Sequence, residues 1–276
     1  MKAGTKKYFI VLRYVVIVLF ALVSLFPIIV MITTAFKTRA QVFSVPPVLF
    51  FKPTLNNFEY VVLHYNFVRY FINSLTITLA STFLAVSIGA LSGYALARFK
   101  FMGKGVVATG TLFLRMIPPV ILIIPLFIMW NSIGLVNSRF GLIFAYVALN
   151  IPFNIWVLRT FIADLPVEIE ESAVIDGCSE IGIFTRIIIP LISPGLAVAS
   201  IFTFRISWNE FPMALVLTNR YTRTLPVSIS LYMTETGIEW GQITAMATVI
   251  ALPAFIFTFA AAKSLIMGLT AGAVKG

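Results

Sequence analysis

Read only for apolar and polar positions, the chain is a series of six long apolar runs separated by shorter polar stretches. The runs fall at about 14–33, 71–96, 106–130, 141–158, 194–217 and 243–267. Each is close to the roughly 17–25 residues that a helix needs to cross a bilayer at about 1.5 Å per residue. The pattern predicts an all-α polytopic membrane protein, one transmembrane domain over residues 1–276 with six transmembrane helices. The polar section from Lys37 to Tyr70 contains Pro46, Pro47 and Pro53. Within it Leu55, Phe58, Val61 and Val62 repeat at helical spacing, which predicts a short interfacial helix after Thr54.

One polar stretch stands apart from the others. The loop over residues 159–193 holds six of the ten acidic residues: Asp164, Glu168, Glu170, Glu171, Asp176 and Glu180. Asp164 and Pro166 are helix-start signals, and carboxylates in a first turn are favoured by the helix dipole. Gly177 predicts the stop of that helix, Ser179 the cap of a second, and Pro190 its end. Two short helices outside the membrane are more order than a solvated linker needs, and a docking site for another protein would need it.

Composition agrees with the pattern. The chain is 60% hydrophobic and only 11% charged. A net charge of +10 would point to nucleic acid in a soluble domain, but here the basic residues lie between apolar runs and belong to solvated membrane faces. A nucleic-acid partner is therefore not expected; the bilayer is. Lys2, Lys6, Lys7 and Arg13 precede the first run, and Arg98, Lys100 and Lys104 sit in the tight connection after the second. This bias predicts both termini on the cytoplasmic side of the membrane. The first run is too long for a signal peptide and lacks a small-x-small cleavage site, so it is read as an uncleaved span.

Catalytic equipment is not evident. Cys178 and His64 are each the only residue of their kind, so no His/Cys metal cluster is expected. Cys178 is expected simply to pack near the bend of the loop. Gly103-Lys104-Gly105 lacks the spacing and hydroxyl of a phosphate-binding loop. No Ser/His/Asp or paired-carboxylate constellation is placed for chemistry, and the acids at 168–171 suit helix capping and solvation. Polar residues inside the spans are more informative. Arg115, Arg205, Asn209 and Glu210 lie within apolar runs. A charge at mid-bilayer costs at least about 2.5–3.5 kcal/mol, so each should face a polar path or a partner. Arg115 and Arg205 fall at similar depth, and Glu210 follows on the fifth span. The expectation is an ion pair of Glu210 with one of these arginines, or with a neighbouring subunit, either lining a translocation path or holding spans together. One span carboxylate is thin equipment for an ion-coupled carrier, and a transporter without its own energy source needs an external engine.

The acidic loop carries a specific resemblance. Glu171, Ser172 and Ala173, then Gly177, then Ile187, Ile189 and Pro190 match the Glu-Ala-Ala, three residues, Gly, nine residues, Ile-x-Leu-Pro pattern of binding-protein-dependent ABC importer permeases. Ser172 for Ala and Ile189 for Leu are the departures. Ile169, Ala173 and Gly177 recur at i, i+4, so they are expected to share one helix face, with small residues settling into a partner's cleft. Trp208-Asn209-Glu210-Phe211, Thr224-Leu225-Pro226-Val227, Trp240-Gly241 and the tail 268–276 resemble the carbohydrate, MalG-like branch. The resemblance implies a MetI-like type I permease fold, a sugar-translocating permease subunit without enzymatic activity, and a place in a prokaryotic cytoplasmic (inner) membrane. Implied partners are ABC ATPase subunits, a second permease subunit (a heterodimer, with a homodimer as alternative) and an extracytoplasmic solute-binding protein. No cofactor is implied for this chain, ATP and Mg belonging to the ATPases. Glu171, Ser172, Ala173, Gly177, Ile187 and Pro190 would form the ATPase-docking loop, and the tail with Lys275 and Gly276 would reach toward the ATPase dimer. The competing readings are an ion-coupled secondary carrier and a non-transporting membrane scaffold.

Overall fold

Leucine, isoleucine, valine, phenylalanine and alanine dominate the apolar runs, and in hydrocarbon only a helix satisfies every backbone N–H and C=O within the segment. The computed structural model, which describes residues 3–64, 66–234 and 237–271, is accordingly helical almost throughout. Four helices are long and apolar enough to cross a membrane, and six spans result if each of two sharply bent helix pairs counts as one. The chain divides into two compact units.

The first unit joins the N-terminal 67 residues to Ile229–Ala251. Its helix α1 (Ala3–Ala35) contains the first predicted span, and α2 (Arg39–Val42) and α3 (Asn56–Leu63) follow. Thus the short helix expected after Thr54 is present, with Val61 its buried residue. Asn57 Nδ2 donates to the carbonyls of Ala35 and Lys37 at 2.9 and 2.8 Å, tying α3 to the end of α1. An exposed ion pair, Arg39 to Glu239 at 3.1 Å, and a two-stranded antiparallel ribbon of β1 (Met233–Thr234) and β2 (Gly237–Ile238) belong to the same unit.

The second unit is built on Val68–Ser228 together with the chain from Leu252. Helix α4 (Phe67–Arg98) packs closely on α7 (Arg139–Ala163). Its Gly89-x-x-x-Gly93 pair makes this approach feasible: a Cβ at Gly89 would lie 2.4 Å from Asn154 Cβ, and one at Gly93 2.9 Å from the Arg159 nitrogen. At its other end Asn73 Nδ2 donates to the carbonyls of Tyr221 and Arg223, and Ser74 Oγ accepts from Leu225 N–H, holding the segment before α13 (Leu225–Ser228).

Two predicted spans are not single helices. The third comprises α5 (Lys104–Met116), a 3-10 turn at Pro119–Leu122 and α6 (Ile123–Ser132), with a 95° bend. Consecutive prolines are the cause: Pro118 and Pro119 push Ile117 and Pro118 to extended backbone, at ψ 121° and 128°. The fifth comprises α11 (Ser193–Asn209) and α12 (Pro212–Leu217), interrupted at Glu210 and Phe211 before a proline that has no N–H to continue the ladder. Helix α14 (Trp240–Ala271) contains the sixth run.

Facing polar groups join α7 to α11. Tyr146, Asn150 and Asn154 recur every four residues on α7, and Glu210, Ser207 and Thr203 meet them in reverse order. The bonds are 2.9, 3.2 and 3.0 Å, and Asn150, Asn154 and Thr203 are fully buried. In an apolar interior such pairs fix register, because any slip leaves polar groups without partners.

Candidate functional site

The acidic loop follows its local chemistry except at its start, where Asp164 closes α7 as its C-cap and Val167, not Asp164, takes the N-cap position of the next helix. Helix α8 (Glu168–Ile175) carries three glutamates in its first turn, where the exposed N–H groups favour them. It ends in a Schellman motif: Cys178 N–H donates to the Ala173 carbonyl and Gly177 N–H to the Val174 carbonyl, both at 3.0 Å. Gly177 holds φ +79°, the left-handed region, so its role as a stop rests on the missing Cβ. Ser179 then caps α9 (Glu180–Ile183) by accepting from Gly182 N–H at 3.2 Å. A π-helical turn at Phe184–Ile188 and α10 (Ile189–Leu191) complete the second helical run. Pro190 cannot donate to the carbonyl four residues back and crowds it, which matches the widened turn just before it. The helical run ends one residue after Pro190, at Leu191, and meets α11 at 76°.

The loop's two adjacent glutamates have different surroundings. Glu171 is exposed. Glu170 is buried; it ion-pairs with Arg98 of α4 and accepts from Tyr94 Oη at 2.8 Å. Arg98 also donates to the Leu165 carbonyl at 2.9 Å. The carboxylate expected only to cap and solvate is therefore the tie between α8 and the end of α4. Nothing local separates the two residues; the cue lay in Arg98, closing an apolar run and in need of a partner. The expected docking face also needs correction. Ala173 is 6% exposed and packs with Leu158, Ile162, Ile183, Ile188 and Ile192 in the loop's own core, and Ile187 leans on the same cluster. Ala173 therefore faces inward, while Ile169 and Gly177 of the same expected face are exposed. The outward surface is Glu171, Ser172, Val174 and Ile175, the last 87% exposed, continued by Ile181. Pro190 is exposed, and so is Cys178, which does not pack as expected.

The predicted pairing of Glu210 with Arg115 or Arg205 is not formed. Glu210 accepts from Tyr146 Oη at 2.9 Å and from the N–H groups of Met213 and Ala214 at 2.8 and 3.0 Å. It caps α12 and restarts the helix after the break, where free N–H groups attract a carboxylate more strongly than a distant guanidinium does. Arg115 lies over the Phe153 ring at 5.3 Å, Arg205 over Phe202 at 5.8 Å, and the two rings meet at 5.5 Å. Asn209 donates to the Arg205 carbonyl at 2.9 Å on the same exposed side of α11. Arg115 is the charged member of the lining of a cavity of about 740 Å³ that includes Leu114, Pro119, Pro125, Pro152 and Met213. Arg115 lies in the last turn of α5, whereas Arg205 lies before the last turn of α11. The dipole favours Arg115 by about 0.3–1 kcal/mol, and each ring contact contributes about 0.5–1 kcal/mol at an exposed site. Neither contribution satisfies the N–H donors of the two guanidinium groups, both of which are exposed. Among the described residues no metal-binding group of His, Cys, Asp and Glu occurs. Lys275 and Gly276 lie outside the described residues.

Comparison with known proteins gives a consistent result. The family profile described as "Binding-protein-dependent transport system inner membrane component" matches residues 85–267. The chain is 36% identical over 265 residues to the trehalose/maltose transport system permease protein MalG of Thermococcus litoralis, covering 94% of each. It is 34% identical over 253 residues to the diacetylchitobiose uptake system permease protein DasC of Streptomyces coelicolor, covering 91% of this chain and 92% of that one. A chain in the crystal structure of a bacterial ABC transporter involved in the import of the acidic polysaccharide alginate shares the fold, with TM-score 0.79 at 22% identity over 96% of this chain and 99% of that one.

Proposed function

Since this chain belongs to the family of binding-protein-dependent transport inner membrane components and is a permease subunit of an ABC importer, we propose that it translocates a saccharide and takes its motion through the loop at 168–191. The observation that carries this reading is the loop's two-sidedness. Its outer surface offers Glu171, Val174, Ile175 and Ile181, while its inner surface is fixed to α4 by the Glu170–Arg98 pair and to α7 by the Ala173 core. A partner that displaces the outer surface must therefore displace two membrane helices as well.

The partner is an ATPase subunit on the cytoplasmic side, where ATP and Mg bind outside this chain. Closure of an ATPase pair shifts α8, and the rigid tie passes the shift to α4 and α7. A path then opens outward to a loaded extracytoplasmic binding protein and inward after hydrolysis. A second permease subunit, a sister chain in preference to a second copy, completes the path. Both termini are cytoplasmic, with the Lys275–Gly276 tail directed to the ATPases. Saccharide cargo follows from the named transport of trehalose/maltose and diacetylchitobiose by the relatives, which between them do not select one sugar.

The test is uptake into proteoliposomes containing this chain with its ATPase, sister permease and binding protein. Uptake should require internal ATP and every component. Uptake by this chain alone on an ion gradient would instead establish a secondary carrier.

A further inference from the structure

Arg115, Phe153, Phe202 and Arg205 form a row supplied by α5, α7 and α11, with a guanidinium at each end and two rings between. Phe202, Arg205 and Asn209 occupy the exposed side of α11, whereas Thr203, Phe204, Ser207 and Trp208 are buried on the other. The row therefore lies on an outward surface. Arg115 comes eleven residues after the start of α5 and Arg205 twelve after that of α11, roughly 17 Å along each helix, too deep for lipid headgroups to reach.

A guanidinium has five N–H donors and no acceptor. Neither arginine has a hydrogen-bond acceptor or carboxylate partner within the chain among the described residues, and the sequence-adjacent carboxylate, Glu210, is taken by Tyr146 and two backbone N–H groups. The ring contacts cover a guanidinium face and leave its N–H edge unused. A neutral sugar presents hydroxyls that need acceptors as well as donors; this row supplies donors at both ends and, in Asn209, one amide oxygen. A carboxylate or sulfonate, which only accepts, matches the donors without leaving anything unpaired, and a guanidinium grips it in a bidentate manner. The two rings, tilted 57° to each other, offer apolar surface to the C–H groups of a sugar.

We propose that this row is a subsite for an anionic saccharide, with the sugar ring on Phe153 and Phe202 and its acid group held by Arg115 or Arg205. This deepens the reading of the chain as a saccharide permease and rests on it. The two fail differently: loss of the anion preference leaves the importer standing, whereas loss of ATP-driven uptake removes both.

The test uses the assembled complex of this chain with its sister permease and ATPases in nanodiscs. Titration calorimetry compares glucuronate-, galacturonate- and mannuronate-containing disaccharides with their uncharged methyl esters. At least one acid should bind ten-fold or more tighter than its ester. That preference should weaken as salt rises and fall about ten-fold in at least one of the Arg115→Gln and Arg205→Gln complexes, each eluting intact from size exclusion. Equal binding of acid and ester, no binding of any acid, or unchanged affinity in the variants would overturn the proposal. Complexes that fall apart on either substitution would also overturn it, because the arginines would then be meeting a carboxylate of the sister subunit.

Discussion

The junction of the acidic loop with α4 and the arginine row inside the spans both remove charge from bulk water, and they do so in opposite ways. At the junction Glu170 has Arg98 and Tyr94, and Arg98 also has the Leu165 carbonyl, so the charges are matched within the chain. In the row, among the described residues, Arg115 and Arg205 have only aromatic faces, and their N–H donors are unspent. A charge matched at home serves as a fastening. On the proposal above, a charge left unmatched is available to a ligand that arrives.

The largest effect should come from breaking the matched side. Glu170→Ala leaves Arg98 buried without its partner, which costs about 3–5 kcal/mol. The variant should melt well below wild type in detergent, and replacing Arg98 and Glu170 together with Met and Leu should recover most of the loss. Gly177→Val comes next: a side chain at φ +79° costs about 1–2 kcal/mol, more for a β-branched residue, and should lower uptake along with melting temperature. Ser179→Ala removes the α9 cap and should cost about 1 kcal/mol by chemical denaturation. The smallest stability change belongs to the two groups without internal partners. Glu171→Gln should stay within about 0.5 kcal/mol of wild type yet weaken ATPase docking several-fold in a pull-down. Arg115→Gln should also melt near wild type, since only a ring contact is lost. A large destabilisation in either would erase the distinction between matched and unmatched charge.

The distinction explains what was legible in the sequence. The Gly177 stop and the Ser179 cap are local, set by one missing Cβ and one hydroxyl, and both are found where the pattern puts them. The six apolar runs were legible for the same reason. The breaks in the third and fifth were not, because apolar continuity outweighed Pro118, Pro119 and Pro212. Glu170 and Glu171 look alike in a string; only the fold, which brings Arg98 across 72 residues of chain, separates them. A helical wheel places Ala173 on a face but cannot say which face the rest of the chain covers. Likewise the depth rule puts Glu210 near two arginines, while the broken helix at Pro212 supplies nearer N–H groups.

The most direct measurement is substrate uptake and ATP hydrolysis by the reconstituted complex carrying Ile175→Asp. Ile175 is the most exposed apolar residue of α8 and touches nothing on which the fold depends. If motion enters through this surface, uptake falls to background and hydrolysis no longer responds to the loaded binding protein, while the melting temperature holds. Normal uptake with normal coupling in that variant would contradict the loop's role.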